Sequence, residues 1–209
     1  MKQPQKELFR WADQIPDALW SNLRNRSPQH AAEMVGAKWD GKTFKVPMIG
    51  VNYIIDLVNQ TIIKDYKTDR AVSYQAGVVL LTTLTTSKGV PPSNRMTVPQ
   101  ELPGGQMFFI GAHSLATGPL TKNFEKDSNK LINRILEFGG EMIEGADVAI
   151  RIPGLPYVPL NILMWHRNHE VDAIAVIGID DRAHFHLDLA GVFALTNIFV
   201  NRLCKDIGH

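Results

Sequence analysis

The stretch DDRAHFHLD, residues 180–188, sets His184 and His186 two positions apart, directly after the apolar run AIAVIGI. If the stretch is an extended strand, both rings project to one face, and two imidazoles at that spacing can ligate one divalent metal ion. Asp180 or Asp181 supplies a third ligand on that reading, or else His166 or His169 from the HRNHEV segment. The alternative is a polar strand end whose histidines bond locally. No HExxH, CxxC, P-loop, GxSxG or GxGxxG pattern accompanies them, which lowers the odds for zincins, P-loop NTPases, serine hydrolases and nicotinamide enzymes.

Three further groups of residues are suited to chemistry. Trp165 beside His166 joins a large aromatic to a titratable ring, which suits the wall of a cofactor pocket. Glu101 precedes Pro103-Gly104-Gly105, and His113 follows shortly after. A carboxylate and an imidazole so placed can do acid–base work only if folding brings them within hydrogen-bond reach. Cys204 is the only cysteine. An internal disulfide and any Fe–S cluster or Cys-rich zinc site built by this chain alone are therefore excluded.

Periodicity indicates the elements that position these groups. Leu8, Trp11, Ile15, Leu19 and Leu23 recur at near-helical spacing, and Pro16 divides them into two short helices. Ser27, Pro28 and Gly36 read as the cap, first position and stop of another helix. TFKVPMI, VNYIIDL and TIIKD are rich in β-branched and aromatic residues, and they predict two or three antiparallel strands. A helix over 71–88 carries Ala76, Val79, Leu80, Thr83 and Leu84 on one face, with Val78 and Leu81 widening the stripe. Gly89 to Gly105 holds four prolines and predicts a long loop bordering a concavity, closed by a tight turn at ELPGG. A helix capped by Asp127 or Ser128 follows and stops at Gly139-Gly140. ADVAIRIP, VPLNILMW and DAIAVIGID then form an antiparallel meander. Leu189, Val192, Phe193, Thr196, Phe199, Val200 and Leu203 mark a final helix expected to pack on it.

The fold class expected is α+β. An antiparallel sheet, made of the C-terminal meander plus an N-terminal hairpin, packs against several helices. One domain is expected over 1–209, with an N-terminal helical arm over 1–36 and a core over 37–209. The 209 residues carry 22 Lys and Arg against 21 Asp and Glu, a formal charge of +1. Neither sign runs in blocks, so neither a nucleic acid nor an anionic membrane is implied as partner. The opening residues lack an apolar export segment, and no run approaches a membrane span, so a cytoplasmic location is expected. The lone cysteine suits that reducing compartment.

The order of motifs carries a resemblance. A buried helix ending in Lys-Gly, the ELPGG turn, a helix ending in FGG, then GAD leading into LPYVPLNILMW, and ID before an aromatic-rich approach to the last helix resemble domain of unknown function 3786 over about residues 70–200. The family is uncharacterised, and its members are found mainly in anaerobic bacteria and archaea. Some carry a fused Fe–S domain related to that of corrinoid proteins. The resemblance implies redox or corrinoid-linked metabolism, with an Fe–S protein as partner because this chain lacks the cysteines. It also places an aromatic residue where His186 stands.

Three functions follow as expectations. The first is a binding or accessory protein for a small ligand, including a tetrapyrrole or corrinoid, with His113, Trp165 and His166 at the cofactor. The second is a metal-dependent enzyme built on His184, His186 and Asp180. The third is an interaction module of a redox complex.

Overall fold

A computed structural model of the chain describes residues 11–66 and 71–204. Leu8 of the expected first helix lies outside them. Among the described residues the N-terminal pattern becomes a 3-10 turn, Ala12–Gln14, and helix α1, Asp17–Arg24, divided at Pro16 as expected. Helix α2 spans Pro28–Val35, with the Ser27 side chain accepting from the His30 N–H and Gly36 left-handed at its end.

Four strands follow in the order β1 (Lys38–Trp39), β2 (Thr43–Met48), β3 (Val51–Asp56) and β4 (Thr61–Lys64), all antiparallel. Ile49 and Gly50 join β2 to β3, both at positive φ, as a two-residue hairpin turn matching strand twist requires. Isoleucine is costly there, and its surroundings hold it: Ile49 is fully buried, and its N–H donates to the Gly154 carbonyl at 2.9 Å. Arg202 donates to the Met48 and Ile49 carbonyls from the last helix.

Helix α3, Tyr74–Thr86, buries Ala76, Val79, Leu80, Leu81, Thr83 and Leu84, so the stripe read from the sequence is the one that packs. The following segment is not the plain loop expected. It contains β5 (Met96–Thr97), a 3-10 turn at Pro99–Glu101 and the single-turn helix α4 (Gly105–Phe108). Helices α5 (Gly118–Lys126) and α6 (Ser128–Glu137) come next, α6 capped by Asp127. Strands β6 (Glu141–Ile143), β7 (Val148–Leu155), β8 (Val158–Trp165) and β9 (Ile174–Asp180) then form the meander, and β5 adds to its far edge in the order β5-β9-β8-β7-β6.

The last helix, α7, spans Leu189–Cys204 and packs with α3, α5 and α6. Val192, Phe199, Val200 and Leu203 are buried in one hydrophobic cluster that runs through both sheets, and Thr196 is also buried. Phe193, expected in that core, is half-buried at its flank against Phe108 and His113. The architecture is α+β with two antiparallel sheets, and no helix among the described residues is long and apolar enough to cross a membrane.

Candidate functional site

Asp180 ends β9 and is completely buried. A bare carboxylate is costly to bury, but successive backbone N–H groups can replace its water. Asp180 accepts from the Ser93 N–H at 3.1 Å, the Asn94 N–H at 2.8 Å and the Arg182 N–H at 3.0 Å. Asn94 adopts φ 62° here, a conformation asparagine tolerates better than most residues. One side chain thus fixes both the entry to β5 and the turn that leaves β9.

That turn corrects the reading of DDRAHFHLD. Ala183–Phe185 is a 3-10 turn, not a strand. Side chains step by about 120° per residue in such a turn, so residues two apart point about 120° from one another and the rings separate instead of converging. His184 is exposed, with Nδ1 bonded to the Asp181 carbonyl at 2.9 Å. His186 is buried: Nε2 donates to the Val90 carbonyl at 2.8 Å, and Nδ1 shares a 2.7 Å hydrogen bond with Ser87 Oγ. With both His186 nitrogens used and the Asp180 oxygens taken by backbone donors, the three expected ligands offer no common point to an ion. No group of three or more His, Cys, Asp or Glu among the described residues is arranged to hold a metal.

Burial pushes the His186 imidazole below its ordinary value. The unfolded chain therefore takes up this proton first, and the contribution of neutral His186 to stability is present above about pH 6.5 and lost as the pH falls below it. The melting temperature of the wild-type protein is expected to fall between about pH 7.5 and about pH 5.5, and the His186→Gln variant to show a flatter profile. Parallel profiles in thermal melts would contradict this.

No hydrogen bond or ring contact among the described residues joins the three residues expected at a cofactor. His113 is exposed and stacks on Phe108, with centroids 4.5 Å apart. His166 stacks on Phe124 at 4.4 Å, and its N–H donates to Asp147. Trp165 is half-buried and pairs with Ile174 across β8 and β9. Cys204 is half-buried, and burial raises its thiol pKa, which suits packing rather than nucleophilic work.

Beside Asp180 lies an open concavity of about 580 Å³, lined by Arg95, Met96, Thr97, Glu101, Leu102, Pro103 and Asp181. One wall is ELPGG. Gly104 has φ 79° and ψ −3°, and the Gly105 N–H donates to the Leu102 carbonyl at 2.7 Å, the geometry of a type II turn with proline before the glycine. Glu101 ends the 3-10 turn, and its carboxylate accepts the Thr97 hydroxyl. The opposite wall is Asp181. Ser93 Oγ donates to one of its oxygens, while Arg95 Nε and Nη2 donate to the other. These bonds, the Ser93 hydroxyl first and Arg95 second, hold its carboxyl below the usual carboxylate range.

A family model, domain of unknown function (DUF3786), matches residues 27–202. The chain belongs to the DUF3786 family. The DUF3786 match starts at the α2 cap and ends at Arg202, so it includes α2, which the sequence reading had grouped with the N-terminal arm. It also contains every lining residue of the concavity. No curated protein and no solved structure matches the chain.

The sequence reading singled out Asp180, Asp181, Glu101 and the ELPGG turn, with Asp181 as a metal ligand, but missed Arg95 and Thr97 and the joining of these residues in one site. The available signal was the pair of polar turns, PPSNR and DDR, of which the first alone looked like a plain loop. Their partnership comes from β5 pairing with β9, Met96 opposite Asp180.

Proposed function

We propose that this DUF3786 protein is a binding or accessory protein for a small polar organic ligand, held in the concavity between the ELPGG turn and Asp181. The observation that carries the reading is the concavity itself. Its volume falls within the roughly 300–1,000 Å³ usual for small-molecule sites, and its walls are fixed by a hydrogen-bonded turn and by the donors around Asp180. Preorganised walls reduce the entropy cost of binding.

The lining does not fit a tetrapyrrole or corrinoid. Four of its seven side chains, Arg95, Thr97, Glu101 and Asp181, are charged or hydroxylic, and no histidine is among them to serve as an axial ligand. A metal-dependent reaction on His184, His186 and Asp180 is likewise not favoured, because both His186 nitrogens and both Asp180 oxygens already have hydrogen-bond partners, which leaves only Nε2 of His184.

The test is calorimetric. A panel of small amines, carboxylates, alcohols and sugars is titrated into the wild-type protein and into Pro103→Trp. Pro103 is exposed and precedes the positive-φ glycine, so tryptophan fills the concavity while the turn keeps its shape. Binding by the wild type that weakens at least roughly tenfold in Pro103→Trp supports the reading. Equal binding by both proteins places the ligand elsewhere, and a panel with no binder defeats the proposal.

A further inference from the structure

We infer that the ligand of the concavity is a small organic cation, a primary ammonium on a short apolar body, received by the Glu101 carboxylate. This rests on the binding reading above and adds the chemical class of the ligand.

Three charged side chains line the concavity, and they are not equivalent. Arg95 and Asp181 compensate each other, with Nε and Nη2 of the guanidinium on one carboxylate oxygen and the Ser93 hydroxyl on the other. Glu101 has no such partner. Its carboxylate accepts the Thr97 hydroxyl and makes no ion pair among the described residues. The lining therefore presents one uncompensated negative charge.

The position of that charge is fixed locally. Glu101 ends the 3-10 turn, with its N–H donating to the Val98 carbonyl at 2.9 Å, and the Thr97 hydroxyl holds one carboxylate oxygen in place. An ammonium has three donors and suits a carboxylate with unused lone pairs. Met96, Leu102 and Pro103 line the same concavity, and they give an alkyl chain of a few carbons an apolar wall.

The same geometry selects against anions. A carboxylate or phosphate finds Arg95 already committed through Nε and Nη2 to Asp181, with only its Nη1 end to offer, and it meets the like charge of the Glu101 carboxylate in the same lining. A bare metal ion is also poorly served, since no group of three or more His, Cys, Asp or Glu is arranged around one among the described residues.

The experiment is an amide-resolved NMR titration of the full chain with three matched probes: n-butylammonium, n-butyrate and n-butanol. Butylammonium is expected to move the resonances of Thr97, Glu101 and Leu102, and Glu101→Gln, which keeps the shape and the Thr97 bond, to weaken it by roughly tenfold or more. Butyrate and butanol are expected to leave those resonances in place. If either of them moves the lining as strongly, or if Glu101→Gln binds butylammonium as well as the wild type, the cation class is overturned while the concavity stands as a binding site. If butylammonium moves only resonances outside the lining, both the class and the site fall. If no probe moves the lining, the class falls, and the Pro103→Trp comparison decides the site separately.

Discussion

Replacing Asp180 by alanine is expected to lower the unfolding free energy by about 3 kcal/mol, the largest effect of any single polar substitution at the site. The wild-type carboxylate is fully buried and serves three backbone N–H groups, those of Ser93, Asn94 and Arg182, besides the Ser93 hydroxyl. Alanine removes the acceptor and leaves those donors to find water, which the partly buried ones reach only by opening the turn. Asp180→Asn keeps one acceptor oxygen and is expected to cost about half as much. Chemical denaturation gives the total, and hydrogen exchange locates it: protection should be lost first at Ser93, Asn94 and Arg182. An Asp180→Ala protein within about 0.5 kcal/mol of wild type would contradict the role assigned to this side chain.

Gly105→Ala should cost about 2–4 kcal/mol and abolish the binding proposed for the concavity, because no added methyl fits at that position. A Cβ there would fall inside van der Waals contact of the Pro99 carbonyl oxygen and within 2.8 Å of the Gln100 carbonyl oxygen. Both are backbone atoms of the 3-10 turn that presents Glu101, so relief requires that turn to move. Gly118→Ala is the matched control: nothing lies within 4 Å of its Cβ position, and its φ is not positive. It is expected to change stability by no more than about 0.5 kcal/mol. A Gly105→Ala protein with wild-type stability would show that the ELPGG turn is looser than its hydrogen bonds imply.

The parts of the molecule legible in the sequence are those with long periods. The apolar spacing of α3 and α7 extends over three or more turns, and ADVAIRIP, VPLNILMW and DAIAVIGID each fill a strand, so local pattern and tertiary burial agree. The ELPGG turn was readable because only glycine sits comfortably at φ 79°. Strands β5 and β6 were not readable, since two or three residues carry no period and owe their conformation to the neighbour they pair with. Helix α5 was hidden for a related reason, having only Leu120 and Phe124 buried in nine residues.

The site was half legible. His184 and His186 have ligand-like spacing only if the chain is extended, and the Asp180 carboxylate bonding to the Arg182 N–H starts a turn there instead. Sequence spacing supplies the residue types, whereas the direction of each ring depends on a backbone conformation set by a buried side chain four or six residues earlier. The concavity itself joins residues from 95–103 to Asp181, a juxtaposition produced by strand pairing across more than eighty residues.

The central claim is that ligand enters between the ELPGG turn and Asp181. Methyl-selective labelling tests it most directly, because Met96 and Leu102 both line that space. Across the panel of amines, carboxylates, alcohols and sugars, any compound that binds is expected to shift the Met96 and Leu102 methyl signals first and those of Met107 and Ile110, which are exposed outside the lining, least. A binder that leaves the Met96 and Leu102 methyls unmoved while shifting methyls elsewhere would contradict the account.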